Sequence, residues 1–217
     1  MLAIENNGEK FSEKKLLESQ KLLAKCVQQI AQEIGPGRTE HEASEITKEA
    51  LKQNGFGKNW HPPKIRFGPN TIKTYSETSA PDVVLQKNDI FFLDLGPILL
   101  DHECDYGETF VVGDNAALIK LSNSSKILFQ KVKTKWATEK LSGEALYQYA
   151  QAEAKTMGYE FITKGASGHR VGDFPHQVHY KGNLIGVTES VSANKWILEI
   201  QIHDRGLNRG AFFEDIL

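Results

Sequence analysis

Between positions 11 and 34 the apolar residues Leu16, Leu23, Val27, Ile30 and Ile34 recur at steps of three, four and seven, the spacing of one buried helical face. Gly-Pro-Gly at 35–37 ends that pattern. Thr39 with Glu42 three residues on has the form of a capping box, and Ala43, Ile46 and Ala50 supply the inner face of a second helix that Gly55 stops. The stretch HPPKIRFGPN at 61–70 reads as a short strand between a proline pair and a Gly-Pro-Asn turn. Further strands are predicted over 90–95 and 106–112. Helical periodicity returns with Leu118, Leu121, Leu128 and Val132 behind a cap at Asp114, then with Leu146, Tyr149 and Met157 behind Ser142. Beyond Gly158, glycine and histidine cluster at 165–182, and strand-like runs occupy 196–202 and 211–217. Helices, strands, helices and strands in that order predict an α+β fold, one mainly antiparallel sheet covered by helices on one side.

Composition removes alternatives more than it adds detail. The 217 residues suit a single domain over 1–217. With 40% hydrophobic and 25% charged residues and a formal net charge of -2, the chain has an ordinary globular make-up. It lacks the basic excess that nucleic acid or an anionic membrane favours. Cys26 and Cys104 do not make a disulfide framework, so a reducing cytoplasm is the expected location. No basic leader with an apolar stretch opens the sequence, and no run approaches the ~18 apolar residues of a membrane span. The basic run KVKTKW at 131–136 fits the solvated face of a helix, and Cys104 fits a small core side chain.

Chemistry enters through charge placed where apolar residues cost less. Asp94 closes the apolar run 90–93, and Asp105 follows eleven residues later in front of TFVV. A reversal near Asp101 brings the two acids together on one face of paired strands, where they repel unless a divalent cation, or a pair of them, turns them into a ligand set. WILEIQI places Glu199 inside an apolar run and AFFEDIL does the same with Glu214, while SGHRVGDFPHQVHY supplies His169, His176 and His179.

This arrangement resembles the methionine aminopeptidase and Xaa-Pro peptidase superfamily, the M24-type "pita-bread" metallopeptidases. The resemblance rests on Asp94-Leu95-Gly96, on Asp105 through Thr109-Phe110, on Gly168-His169-Arg170-Val171-Gly172 with His176 seven residues after His169, and on the late Glu199 and Glu214. PGRTEHEASEITKEALKQNGF and LQKNDIFFLDLG are similar to the family's second helix and to its approach to the first ligand. It implies a pita-bread fold and two divalent transition-metal ions (Mn, Co, Fe or Zn). Asp105 and Glu214 would bridge them, Asp94 would hold one, and His169 with Glu199 would complete the other. By the same resemblance His176 would donate a hydrogen bond to the developing oxyanion, Glu199 or Glu214 would carry the proton, and Thr109 would support the ligating carboxylates or water. The implied activity is aminopeptidase or dipeptidase cleavage of the N-terminal bond of a short peptide, by a monomer or homodimer.

The chain departs from the pattern along the substrate wall. Tyr75 stands where a substrate-facing histidine is usual, Gln177 replaces an acid and leaves His179 three positions after His176, Ile200 follows Glu199 in place of proline, and Glu108 occupies a place often held by arginine. Arg170 brings a cation into the glycine-histidine loop, suited to the carboxylate of a very short peptide. Tyr75, His179 and Arg170 are therefore expected to bind substrate, and His61, ahead of two prolines, to be structural. The 217 residues have the size of a bare catalytic domain, so the N-terminal domain that long Xaa-Pro aminopeptidases carry is not expected. A second reading is a non-catalytic binding protein on the same fold, although such relatives typically lose these ligands. Hydrolysis of a non-peptide C–N bond is a third, and the intact set counts against it.

Overall fold

The structure is a computed structural model and describes residues 2–217. Helix α1 spans Glu13–Glu33, begins at a Ser12 cap, and buries Leu16, Leu23, Val27 and Ile30 as the spacing predicts. Gln20 is buried on the same helix. Helix α2 spans Glu40–Gln53, and its capping box is present, with Thr39 and Glu42 bonded reciprocally.

After strand β1 (Lys64–Phe67) come β2 (Asp89–Leu95), β3 (Ile98–Leu99), β4 (His102–Glu103) and β5 (Tyr106–Val112). The predicted strand at 61–70 is shorter than expected because Gly68–Ile72 turns into a 3-10 segment. Helix α3 spans Ala116–Glu139 and buries Leu118, Leu121, Leu128 and Val132. Its cap is Asn115 rather than Asp114: the Asn115 Oδ1 accepts from the Ala117 and Leu118 N–H groups at 3.0 and 3.3 Å. Helix α4 spans Gly143–Thr156 behind Ser142, and its buried face is Leu146, Tyr147, Ala150 and Ala154. Tyr149 and Met157 are partly buried against the same core, Tyr149 with the Lys135 Nζ 5.4 Å from its ring and Met157 at the helix C-cap. In the basic run, Lys131 and Lys135 pair with Glu153 and Glu139, while Lys133 donates to the Ile216 carbonyl at 2.7 Å.

Strands β6 (Glu160–Phe161), β7 (His169–Arg170), β8 (Trp196–Asp204) and β9 (Arg209–Ile216) complete a sheet of order β1-β2-β5-β9-β8-β6, with β7 paired to β8. Every registered pair is antiparallel. The short pair β3-β4 is the reversal expected near Asp101, with Leu100 and Asp101 both at positive φ. The main core, including Leu23, Val27, Phe91, Leu93, Leu128, Phe129 and Phe213, forms one cluster joining helices and sheet. On the strands' other side Phe92 packs with Ala166 and Phe212. With both faces covered, β2 reads as a continuous apolar run, which is why its closing aspartate stands out.

The register of the sheet places the acids. Asp94 faces Gly107, Gly107 faces Glu214 and Glu214 faces Glu199, one row across β2, β5, β9 and β8. Side chains in one row share a face of the sheet. Gly107 sits in the middle with no side chain; a Cβ there would lie 2.7 Å from the Glu214 Oε1 and 2.4 Å from the Phe212 ring. Among the described residues no helix is long and apolar enough to cross a membrane.

Candidate metal centre

Asp105 enters from the short link between β4 and β5, and two side-chain bonds fix its backbone. The Asp105 N–H donates to the Gln20 Oε1 at 3.0 Å, and the Gln20 amide donates to the Asp105 carbonyl. Its carboxylate is thereby held among the row of acids, and each oxygen meets an imidazole. Oδ2 lies 2.7 Å from the His169 Nε2, and Oδ1 lies 3.2 Å from the His61 Nε2. His61 is also 3.6 Å from the Asp94 Oδ1, and His169 is 3.7 Å from the Glu199 Oε1.

Glu199 is positioned twice over: its Oε2 accepts from the Ser167 N–H at 2.9 Å, and the Tyr147 hydroxyl bonds both its N–H and its carbonyl. Glu214 is different. Its Oε1 is buried and has no hydrogen-bond partner among the described residues. Such an atom is costly to strand in a low-dielectric site.

Burial and crowding set the charges. Burial pushes Asp94 up to about 6, with Asp105 adding to the rise and His61 opposing it. Burial also raises Glu199 to about 7, helped by Asp105 and Asp94. Glu214 is raised well above the carboxylate range by burial and by its three acidic neighbours. Asp105 goes the other way: burial alone would raise it, but the charge on His61 and the hydrogen bonds from both imidazoles hold it well below the usual range. Burial would lower the two histidines, yet the carboxylates win, and His61 rises to about 10 and His169 to about 9. The centre is a set of acids that keep positive charge or protons close, which is what a cation would replace.

These groups form the floor of a cavity of about 510 Å³. Tyr75 and His176 line its walls, together with Gln177, Tyr180 and Lys181. Of the residues singled out in the sequence, Asp94, Asp105, His169, Glu199, Glu214, His176 and Tyr75 are brought together here.

Three others go elsewhere. Arg170 does not reach the cavity: it is 1% exposed and donates to the carbonyls of Ile4, Asn6, Val171 and Lys195 and to the Asn7 side chain. A neighbour of His169 on a strand points to the opposite face, so its cation ties down the N-terminal segment. His179 lies on the turn after the 3-10 segment His176–Val178 and does not line the cavity. The Thr109 hydroxyl bonds the backbone of Phe212 instead, donating to its carbonyl at 2.8 Å and accepting from its N–H at 2.7 Å, clipping β5 to β9. Glu108 likewise leaves the wall, bonded to Gln28, Tyr106 and Lys126 on the helical side.

Several site residues have little sequence signal. His61, expected to be structural, reaches the acids from the chain ahead of β1. Trp60 packs against the rings of His61, His169 and His176 at 4.4, 5.0 and 5.5 Å, with its Nε1 donating to the Cys104 carbonyl. Glu103 is buried, accepts from the His176 N–H at 3.1 Å, and also contacts the His176 Nδ1. For Glu103 a signal existed: it is two residues before Asp105, the spacing that puts both on one face of an extended chain. His61 had none, because its partners are thirty and more positions away.

The model of the metallopeptidase family M24 matches residues 14–216. A comparison with curated protein sequences gives no match. Among solved structures, the chain is similar to the X-Pro aminopeptidase of Thermotoga maritima (TM-score 0.75, 17% identity, 94% of this chain and 56% of that one). It is similar also to the prolidase of Thermococcus sibiricus (0.75, 20%, 94% and 55%) and to the methionine aminopeptidase of Thermotoga maritima (0.73, 15%, 94% and 91%). It spans a little over half the length of the first two, and at these identities the likeness establishes the pita-bread fold. With the family's model matched from the first helix to the last strand, the chain belongs to the metallopeptidase family M24.

Proposed function

We propose that this chain is a metal-dependent aminopeptidase or dipeptidase that hydrolyses the N-terminal peptide bond of short peptides. Two divalent transition-metal ions would be held by Asp94, Asp105, His169, Glu199 and Glu214. The observation that carries the reading is the convergence of four carboxylates and an imidazole on one cavity floor, with the Glu214 Oε1 buried and unpartnered among the described residues. That donor set, oxygen-rich with imidazole and no thiolate, suits Mn, Co, Fe or Zn. Bound there, the ions would polarise the scissile carbonyl and lower the pKa of an attacking water.

The chain's own groups do the rest. Glu199 is the carboxylate assigned to carry the proton, at the Oε1 that lies 3.7 Å from the His169 Nε2. His176 stands over the cavity with its Nδ1 against Glu103, so its Nε2 is the atom offered to substrate. With Nδ1–H bonded to Glu103, Nε2 accepts in the neutral ring and donates to an oxyanion only when both nitrogens carry protons. Tyr75 presents a phenol raised to about 12 by burial and by the acids, a hydrogen-bond donor that keeps its proton.

Metal-depleted protein reconstituted separately with Mn, Co, Fe and Zn, then offered short peptides varied at the first two positions, tests this. Metal-dependent release of the first residue, lost in Asp105→Asn, is the expected outcome. Tight metal binding without turnover of any peptide would favour the non-catalytic reading, and absence of metal binding would remove the metalloenzyme reading.

A further inference from the structure

The five acid and imidazole positions leave one imidazole unexplained. We propose that His61 is itself a ligand of the metal centre, so that Asp105 is flanked by two coordinating imidazoles and each cation position has its own nitrogen. This rests on the metal-centre reading above and adds to it a ligand that the motif residues do not include.

Four observations converge on it. The His61 Nε2 and one oxygen each from Asp94 and Asp105 lie within 4.8 Å of one another. Two atoms bound at about 2.0–2.2 Å to one cation lie at most about 4.4 Å apart, and the His61 Nε2 is 3.6 Å from the Asp94 Oδ1 and 3.2 Å from the Asp105 Oδ1. Second, the His61 Nδ1 is 3.0 Å from the Pro62 carbonyl, so Nδ1 carries the hydrogen and the Nε2 lone pair faces the acids. His169 has the same arrangement, its Nδ1 2.7 Å from the Arg170 carbonyl. Third, the backbone is cut away for this ring: a Cβ on Gly96 would lie 2.1 Å from the His61 Nε2. Fourth, Trp60 buttresses both imidazoles and is itself anchored on the carbonyl of Cys104, next to Asp105.

The chemistry points the same way. A lone pair aimed at two carboxylates is repelled by them unless something positive lies between, and only a proton or a cation can do that. On one side of Asp105 the position takes His61 and Asp94; on the other it takes His169 and Glu199. Glu214, beside Glu199 in the sheet row and separated from Asp94 only by the side-chain-free Gly107, would span the two positions. A site with one imidazole per position is more nitrogen-rich than the motif residues alone would make it, which favours Co and Zn over Mn.

The test is Co(II) titration of metal-free protein, followed by calorimetry and by the visible absorption of the bound ion, for the wild type, His61→Ala and His169→Ala. Thermal melting of each metal-free variant checks that it is folded. In His61→Ala one Co(II) should bind nearly as in the wild type and the other about 100-fold more weakly. The absorption bands should change, and free imidazole should restore them by filling the space beside Gly96. A folded His61→Ala protein that binds both ions with wild-type affinity and an unchanged spectrum overturns the inference while leaving the metal centre standing. A wild type that binds no Co(II) overturns the metal-centre reading itself.

Discussion

Glu103 touches the ring nitrogen and the backbone N–H of His176 without lining the cavity, and so acts through His176 rather than on substrate. Glu103→Ala is expected to lower kcat while leaving KM and the bound metal nearly unchanged. The loss should fall short of the about 10²–10³-fold expected for His176→Ala, which removes a group facing the oxyanion. Steady-state kinetics with metal analysis on both variants checks this; equal loss of metal from Glu103→Ala would contradict it. Arg170 makes the opposite prediction. Its removal takes the donor from the Ile4 and Asn6 carbonyls of the N-terminal segment and from the Val171 and Lys195 carbonyls, so Arg170→Ala should cost about 3–5 kcal/mol of stability with substrate affinity unaffected in whatever protein stays folded. Denaturant unfolding measures it. At this scale the sequence shows which residues are out of place, not where they point. Asp94, Glu199 and Glu214 stood out because a charge within an apolar run needs a reason. Arg170 stood out too, but alternation along β7 turns it away from His169, and only the two residues' pairing with β8 reveals that.

The strands work as a ruler. The row Asp94, Gly107, Glu214, Glu199 lines up three acids because β2, β5, β9 and β8 pair in this register, and Gly107 keeps its centre open. A side chain at Gly107 would press on the Glu214 oxygen and the Phe212 ring, so Gly107→Ala is expected to weaken metal binding more than it weakens folding. Metal titration beside a thermal melt separates the two, and wild-type affinity would contradict the expectation. Thr109 holds the same register from the outside, and Thr109→Val should cost about 1–3 kcal/mol by leaving the Phe212 backbone unpaired. The helices α1 to α4 and long strands were legible from periodicity and caps. What was not legible was the pairing of distant strands, and with it the roles of Thr109 and Glu108, whose directions follow from register alone.

Across the whole molecule, the crowding of acids makes stability depend on pH when no metal is bound. Asp94 and Glu199, raised from 3.8 to about 6 and from 4.5 to about 7, favour folding in their protonated forms, and this contribution is lost as pH rises through those ranges. His169 and His61, raised from 6.5 to about 9 and about 10, contribute below 6.5 and lose it as pH rises through their folded values. Asp105, lowered, works the other way and only in acid. Metal-free protein should therefore melt at progressively lower temperature as pH rises above about 5, and a bound metal should flatten that fall. Melting curves at several pH values, with and without Mn or Co, test the sign. The most direct measurement of the central claim is an anomalous difference map from a crystal of the Co-loaded protein. Two peaks, one beside each oxygen of Asp105 and each within bonding distance of an imidazole, are predicted; no peak among these side chains in a folded protein supplied with metal would contradict the account.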